Sequence, residues 1–205
     1  LREGRADILV GTQMITKGHD LPKVALVCVV RADAELNFPD FRASERTFSV
    51  LTQVAGRAGR GPLPGRVILQ TFNPHHPAIE AAVKQNFGMF YGWEIRNRKA
   101  LFYPPYSHLA LIRLEGAKED AVVRTGNTVA RLVKAMAAST KETIRVLGPA
   151  PSPLAKIKRR HRWQILVKCG SRPVLADLLE ELLRRREIAA GDVRTIIDVD
   201  PLDFM

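Results

Sequence analysis

The chain has 205 residues, 46% of them hydrophobic, a formal net charge of +11 and a pI near 10.2. That is enough for one large domain or two small ones, and the charge points to a polyanionic partner without choosing which. Cys28 and Cys169 are too few for a zinc cluster and read as reduced, buried thiols. No apolar run reaches the ~20 residues that a spanning helix needs, so a soluble, cytoplasmic protein without a membrane partner is expected.

Ile8-Leu9-Val10 followed by Gly11-Thr12 predicts a buried strand that delivers a functional loop at its carboxyl end. Val24 to Val30 is an unbroken apolar run, as in a central strand covered on both faces, which favours an α/β sheet. Ser44 precedes a helical stretch whose Phe48, Leu51 and Val54 line one side, and Gly61-Pro62-Leu63-Pro64-Gly65 closes it. Val67-Ile68-Leu69 predicts a strand, and after the turn Asn73 to Pro77 one helix begins near Ala78 with Ile79, Ala82, Val83 and Phe90 on its apolar side. Strands in so short a set would lack sheet neighbours and covering helices, leaving an open apolar edge.

Tyr103-Pro104-Pro105-Tyr106 predicts a boundary, since two prolines forbid helix or central strand across it. The expected division is therefore residues 1–101 and 102–205. Beyond it, His108 to Glu115 predicts a strand, Glu119 to Ala138 a helix, and Ile144 to Leu147 a strand. Trp163, Ile165, Val167 and Cys169 alternate with Gln164, Leu166 and Lys168 as a half-buried strand would. Pro173 opens a helix with Leu175, Leu178, Leu179, Leu182 and Leu183 in one stripe, and Val193 to Val199 closes as a strand. The order β-α-β-β-α-β is that of a ferredoxin-like unit, a scaffold that by itself says nothing of activity.

The stretch Gln53-Val54-Ala55-Gly56-Arg57-Ala58-Gly59-Arg60 spaces Gln53, Arg57 and Arg60 by four and three, so on a helix they share a face. Two guanidinium groups there suit phosphate oxygens, and the glycines admit a close surface. Taken alone, the same arginines read first as solvated surface charges, the commonest fate of arginine. Lys156, Lys158, Arg159, Arg160 and Arg162 put five cations into seven positions just before Trp163. Phosphate contact without stacking is one reading of this run, because the alternation places Trp163 on the apolar face; a solubilising loop is the other. Arg42, Glu45 and Arg46 read either as an ion-pair set aiming the helix or as a solvated face. The run Arg184 to Arg186 sits where a helix dipole favours cations anyway.

Gln53 to Arg60 resembles the last motif of superfamily 2 helicases. Gly11-Thr12-Gln13-Met14-Ile15-Thr16-Lys17-Gly18-His19-Asp20-Leu21-Pro22 resembles the preceding motif in one family of them, the PriA-like primosomal helicases of bacteria. Phe38 to Arg46, Tyr103 to Ser107 and Leu147 to Pro151 are similar to that family as well, so the likeness covers nearly the whole chain. It implies an incomplete RecA-like second motor lobe followed by a ferredoxin-like carboxyl-terminal domain, α/β plus α+β. It implies a 3′ to 5′ DNA helicase that restarts replication at forks by primosome assembly, driven by ATP and magnesium.

By the resemblance, Arg57, Arg60 and Gln53 would reach a γ-phosphate held by another lobe. Gly18 and Asp20 would lie toward the nucleotide, while Thr12 and Gln13 would meet the tracked strand. From the residues alone, Gly11 to Pro22 is also an ordinary strand-end loop, and His19 reads as structural. Arg172, beside Pro173, would serve the acidic tail of single-stranded DNA-binding protein, one partner among DNA forks, single strands and other primosome proteins. No phosphate-cradling Gly-x-x-x-x-Gly-Lys-Ser/Thr loop occurs, and the chain opens at Leu1. The expectation is a fragment, inactive alone, with the ATP-holding lobe and any zinc-binding cysteines lying upstream and no metal site here. A non-catalytic single-strand-binding module and a docking module for replication proteins are the alternatives.

Overall fold

In the computed structural model, residues 6–12, 24–56, 58, 65–185, 188 and 191–205 are described. It is a mixed α/β structure with two separate sheets, and it divides into two compact units, Leu1–Arg96 and Asn97–Met205. The division falls within one long helix.

In the first unit, β1 (Leu26–Val29) and β2 (Arg66–Leu69) form a parallel pair with Leu26 opposite Arg66 and Val29 opposite Leu69. Helix α1 (Ala43–Ala55) connects them. The Asp40 carboxylate accepts from the Arg42 N–H at 2.9 Å and pairs with Arg46 at 3.0 Å, which fixes the entry to α1. Phe48, Leu51 and Val54 are buried, as their spacing requires, and Gly56 ends the helix. Asp33 is buried after β1, and its carboxylate accepts from the Phe72 N–H at 2.9 Å, tying the exits of both strands together. Burial pushes the Asp33 carboxyl up, but backbone donors led by Phe72 outweigh it and hold the group below its usual range.

Helices α2 (Pro77–Val83) and α3 (Phe87–Leu101) replace the single predicted helix. The break is built from Gln85, at φ 49°, and Asn86, whose side-chain oxygen accepts from the Met89 N–H at 2.9 Å. Asparagine is a strong N-cap, so a new start outweighs continuation there. Ile79 and Ala82 pack inward with Phe48 and Phe90, whose rings stack at 4.4 Å. Val83, expected on the apolar side, is 65% exposed because the helix ends beneath it.

Two strand expectations are corrected. Ile8, Leu9 and Val10 lie in irregular, exposed backbone, and the run Val24 to Val30 keeps only four strand residues, with Leu26 and Cys28 exposed. Among the described residues β1 has no sheet neighbour but β2, and only one of its faces is partly covered, with Val29 against the core of Phe48, Ile79 and Phe90.

The second unit runs β3 (His108–Gly116), α4 (Glu119–Ala138), β4 (Ile144–Ile157), β5 (Arg160–Cys169), α5 (Arg172–Leu183) and β6 (Arg194–Val199). The sheet order is β4-β5-β3-β6, every neighbouring pair antiparallel. Ala110, Ile112 and Leu114 of β3 and Ile165, Val167 and Cys169 of β5 form one core with Val122, Val129 and Val133 of α4 and Leu175, Leu178, Leu179 and Leu182 of α5. Leu183 is 62% exposed, one position off that stripe. The other sheet face is covered too. Leu109, Leu111, Leu166 and Lys168 are all buried, and the tail after β6 lies against β3, with Asp200 N–H donating to the Leu109 carbonyl at 2.9 Å and Arg113 to the Met205 carbonyl at 2.6 Å. The half-buried reading of β5 is thereby corrected: Leu166 and Lys168 on its second face are buried as well, Lys168 against the turn that holds Tyr103.

β4 extends ten residues past the predicted end, through Pro149, Pro151 and Pro153. It lies at the sheet edge, where a proline's missing N–H costs no ladder bond, and register shifts after Leu147 and Pro151 absorb the irregularity.

Candidate nucleic-acid interface

The basic run is the tip of the β4–β5 hairpin. Ile157 pairs with Arg160 and Lys156 with His161, leaving Lys158 and Arg159 as a two-residue turn with φ of 47° and 64°. Two left-handed residues make the turn whose twist suits a hairpin, although neither is the usual glycine or asparagine. Lys156, Lys158 and Arg159 are exposed at this tip, and three cations held close together on a defined turn suit the phosphates of a nucleic-acid strand.

Arg160 and Arg162 are placed differently. Arg160 donates to the carbonyls of Glu115 at 3.1 Å and Asp192 at 3.0 Å and lies 3.9 Å from the Asp192 carboxylate. Arg162 is 8% exposed and its Nε donates to Glu115 Oε1 at 2.9 Å. Both anchor the hairpin to β3 and to the approach to β6, so the structure brings three of the five predicted cations together at the surface. Trp163 packs against the core, as its alternation requires. Glu115 and Asp192 were not singled out by sequence; the cross-strand pairing of Glu115 with Arg162 is the signal that would have found the first.

Arg172 is the first residue of α5 and is exposed, following Ser171. Arg184 and Arg185 pair one turn back with Glu180 and Glu181 at 2.5 and 2.6 Å. On the opposite sheet face Lys168 donates to the Leu101 carbonyl at 3.0 Å, with its ammonium 3.2 Å from the centre of the Tyr103 ring. Burial, then the charge of Arg145, lowers its pKa to about 8, while the ring face and the carbonyl favour the charged form. Lys168 thus ties the Tyr103 turn to the sheet.

Of the residues expected to serve the motor, Gln53 lies in the last turn of α1 with its side chain exposed, turned away from the buried Leu51 and Val54. Thr12 is exposed at the end of the Ile8 to Val10 segment. Gln13, Gly18, His19, Asp20, Arg57 and Arg60 lie outside the described residues. Arg46 of the approach pairs with Asp40, and the Arg42 guanidinium sits 4.2 Å from the centre of the Phe41 ring. Among the described residues no cluster of His, Cys, Asp or Glu could hold a metal ion, and no helix is long and apolar enough to cross a membrane.

The chain is similar to the replication restart protein PriA of Synechocystis sp., 46% identical over 99% of this chain and 24% of that protein. It is 43% identical to the protein of the same name from Bacillus subtilis over 99% of this chain and 25% of the relative, and 35% identical to that of Haemophilus influenzae over 100% and 28%. The chain therefore spans about a quarter of the length of these relatives. Among solved structures, the de novo designed protein Foldit4 aligns with a TM-score of 0.34 at 15% identity over 46% of this chain and 97% of that one, too distant to carry an argument. The family model described as the primosomal protein N C-terminal domain matches residues 99–202. With that match over half of its length, and PriA relatives aligned along the whole of it, the chain belongs to the PriA family.

Proposed function

We propose that the chain is the carboxyl-terminal part of an ATP-dependent, 3′ to 5′ DNA helicase that binds forked DNA and restarts replication by primosome assembly. The observation that carries this reading is the alignment, at 46% identity, of nearly the whole chain with a replication restart protein four times as long. On this reading residues 1–101 are part of a RecA-like second lobe and residues 102–205 a ferredoxin-like domain. The parallel β1–α1–β2 arrangement supports the first assignment, and the order β4-β5-β3-β6 with all-antiparallel pairing supports the second.

ATP, with its magnesium ion, supplies the phosphoryl chemistry when held by another lobe. This chain's share is Arg57 and Arg60 as donors to the transferring phosphate and Gln53 as an orienting group, roles in which an arginine finger contributes roughly 10³ to 10⁵ in rate. The exposed Gln53 side chain fits that part, since α1 uses its other face for packing. Gly18 and Asp20 lie toward the nucleotide, and Thr12 and Gln13 contact the strand. The hairpin tip adds phosphate contacts, and Arg172 contributes to a site for the acidic tail of single-stranded DNA-binding protein. A non-catalytic strand-binding module is the second reading, favoured by the three exposed cations of the tip alone.

The reading is tested on the 205-residue chain. It is expected to bind forked DNA with a steep loss of affinity on adding salt and to show no DNA-stimulated ATP hydrolysis. Turnover by a pure sample would overturn the division of the site between lobes.

A further inference from the structure

The β4–β5 hairpin ends in a narrow projection. β3 pairs with β5 only as far as Gly116 opposite His161, so the Ile157–Arg160 pair and the Lys158–Arg159 turn lie past the end of their neighbour strand. The footing is fixed. Arg160 donates to the Glu115 and Asp192 carbonyls at 3.1 and 3.0 Å, and Arg162 to the Glu115 carboxylate at 2.9 Å. Charge is sorted along the hairpin as well. No Asp or Glu occurs between Glu142 and Asp177, so neither strand carries a carboxylate. Those that neighbouring elements bring, Glu115, Glu119 and Asp192, meet Arg162, His161 and Arg160 at the base, while Lys156, Lys158 and Arg159 stand exposed at the tip.

Shape and chemistry choose between forms of nucleic acid. A single strand is gripped by stacking its bases on exposed rings along a groove, and the tip offers no such surface. Trp163 packs against the core, His161 faces Glu119 at 3.4 Å, and neither strand contains Phe or Tyr. A duplex needs no rings. Its phosphates stand in two fixed rows, and between them the major groove, about 12 Å wide, admits a two-stranded ribbon whose strands lie about 4.8 Å apart. Ile157, 39% exposed beside the turn, supplies an apolar contact of the kind a thymine methyl in that groove accepts. We infer that the β4–β5 hairpin enters the major groove of double-stranded DNA, with Lys156, Lys158 and Arg159 on the flanking phosphates; the inference deepens the DNA-binding reading above and rests on it.

The test follows fluorescence anisotropy of the 205-residue chain on labelled dT15, on a mixed-sequence duplex of the same length, and on that duplex with its cytosines replaced by glucosylated 5-hydroxymethylcytosine. The last keeps every phosphate and fills the major groove. Lys158→Asn with Arg159→Gly removes two cations and installs the residues that a left-handed two-residue turn prefers, so the hairpin is kept. This double variant should weaken binding to the plain duplex and reduce the slope of log affinity against log salt by about 2, roughly 0.9 for each lost phosphate contact, with dT15 binding little changed. Wild type should bind the plain duplex more tightly than the glucosylated one, and the variant should bind the two alike. If the variant loses dT15 and duplex equally, or if wild type binds dT15 but does not distinguish the two duplexes, groove entry is refuted and the DNA reading stands. Unchanged binding of every probe by the variant removes the tip from DNA contact altogether, again with the DNA reading intact. Wild type that binds no probe overturns the DNA reading and the inference with it.

Discussion

His76 shows how one side chain can set a helix boundary and a pH response together. Its Nδ1 accepts the Ala78 N–H at 3.2 Å as the N-cap of α2, with its ring edge-on to Trp93 at 5.3 Å. Acceptance requires the neutral ring, and burial lowers the His76 pKa below its usual 6.5. The unfolded chain then takes up the proton first, so this group stabilises the fold above about pH 6.5 and the contribution is lost as pH falls through the lowered value. Urea unfolding at pH 7 and pH 5 should show an acid loss of about 1 kcal/mol, the usual worth of a cap, that His76→Asn largely removes. An equal acid loss in the variant would show that the imidazole is not responsible. None of this was legible in the sequence, where the turn Asn73 to Pro77 announced a helix start but not which residue accepts its first amide. Lys168 was hidden for a related reason: its place in the alternation is that of a solvent-facing residue, and only the turn containing Tyr103 buries it.

At the scale of elements, α1, α4, α5 and β3 were legible because in each an apolar line matches the core the element meets, and short apolar runs located β2 and β6. It failed where local chemistry overrode the pattern. Asn86 splits one apolar stripe into two helices, and the edge position of β4 lets prolines stand within a strand. Gly148 marks the first irregularity of that strand. Its φ is +97°, and a Cβ there would lie 2.6 Å from the Gln164 carbonyl oxygen and 3.2 Å from the Ala150 nitrogen, both backbone atoms that cannot step aside cheaply. Gly148→Ala is therefore expected to lower the unfolding free energy by roughly 2 kcal/mol or more, read as a lower urea midpoint. An unchanged midpoint would show that the edge strand relaxes freely. The hairpin beyond it illustrates the same limit: five cations in seven positions are visible in sequence, but that two of them turn back to Glu115 and Asp192 depends on strand register.

For the whole molecule, the order of elements beyond the Tyr103 turn and the similarity to PriA were both legible, the first from alternation and turn residues, the second from motifs around Gln53 and Gly11. The burial of β1 was not, because an unbroken apolar run encodes what a strand can tolerate and not which neighbours are present. Leu26 and Cys28 accordingly stand exposed, with one partner strand among the described residues. The two units answer to different physics. The second closes its sheet on both faces and has a continuous core, whereas the first holds a small aromatic core under a two-stranded sheet and offers Gln53 outward.

The most direct measurement is DNA-stimulated ATP hydrolysis by the full-length protein with Arg57 and Arg60 both replaced by alanine. Turnover should fall by about 10³-fold or more with DNA binding retained, and hydrolysis at the wild-type rate would contradict the role given to this chain.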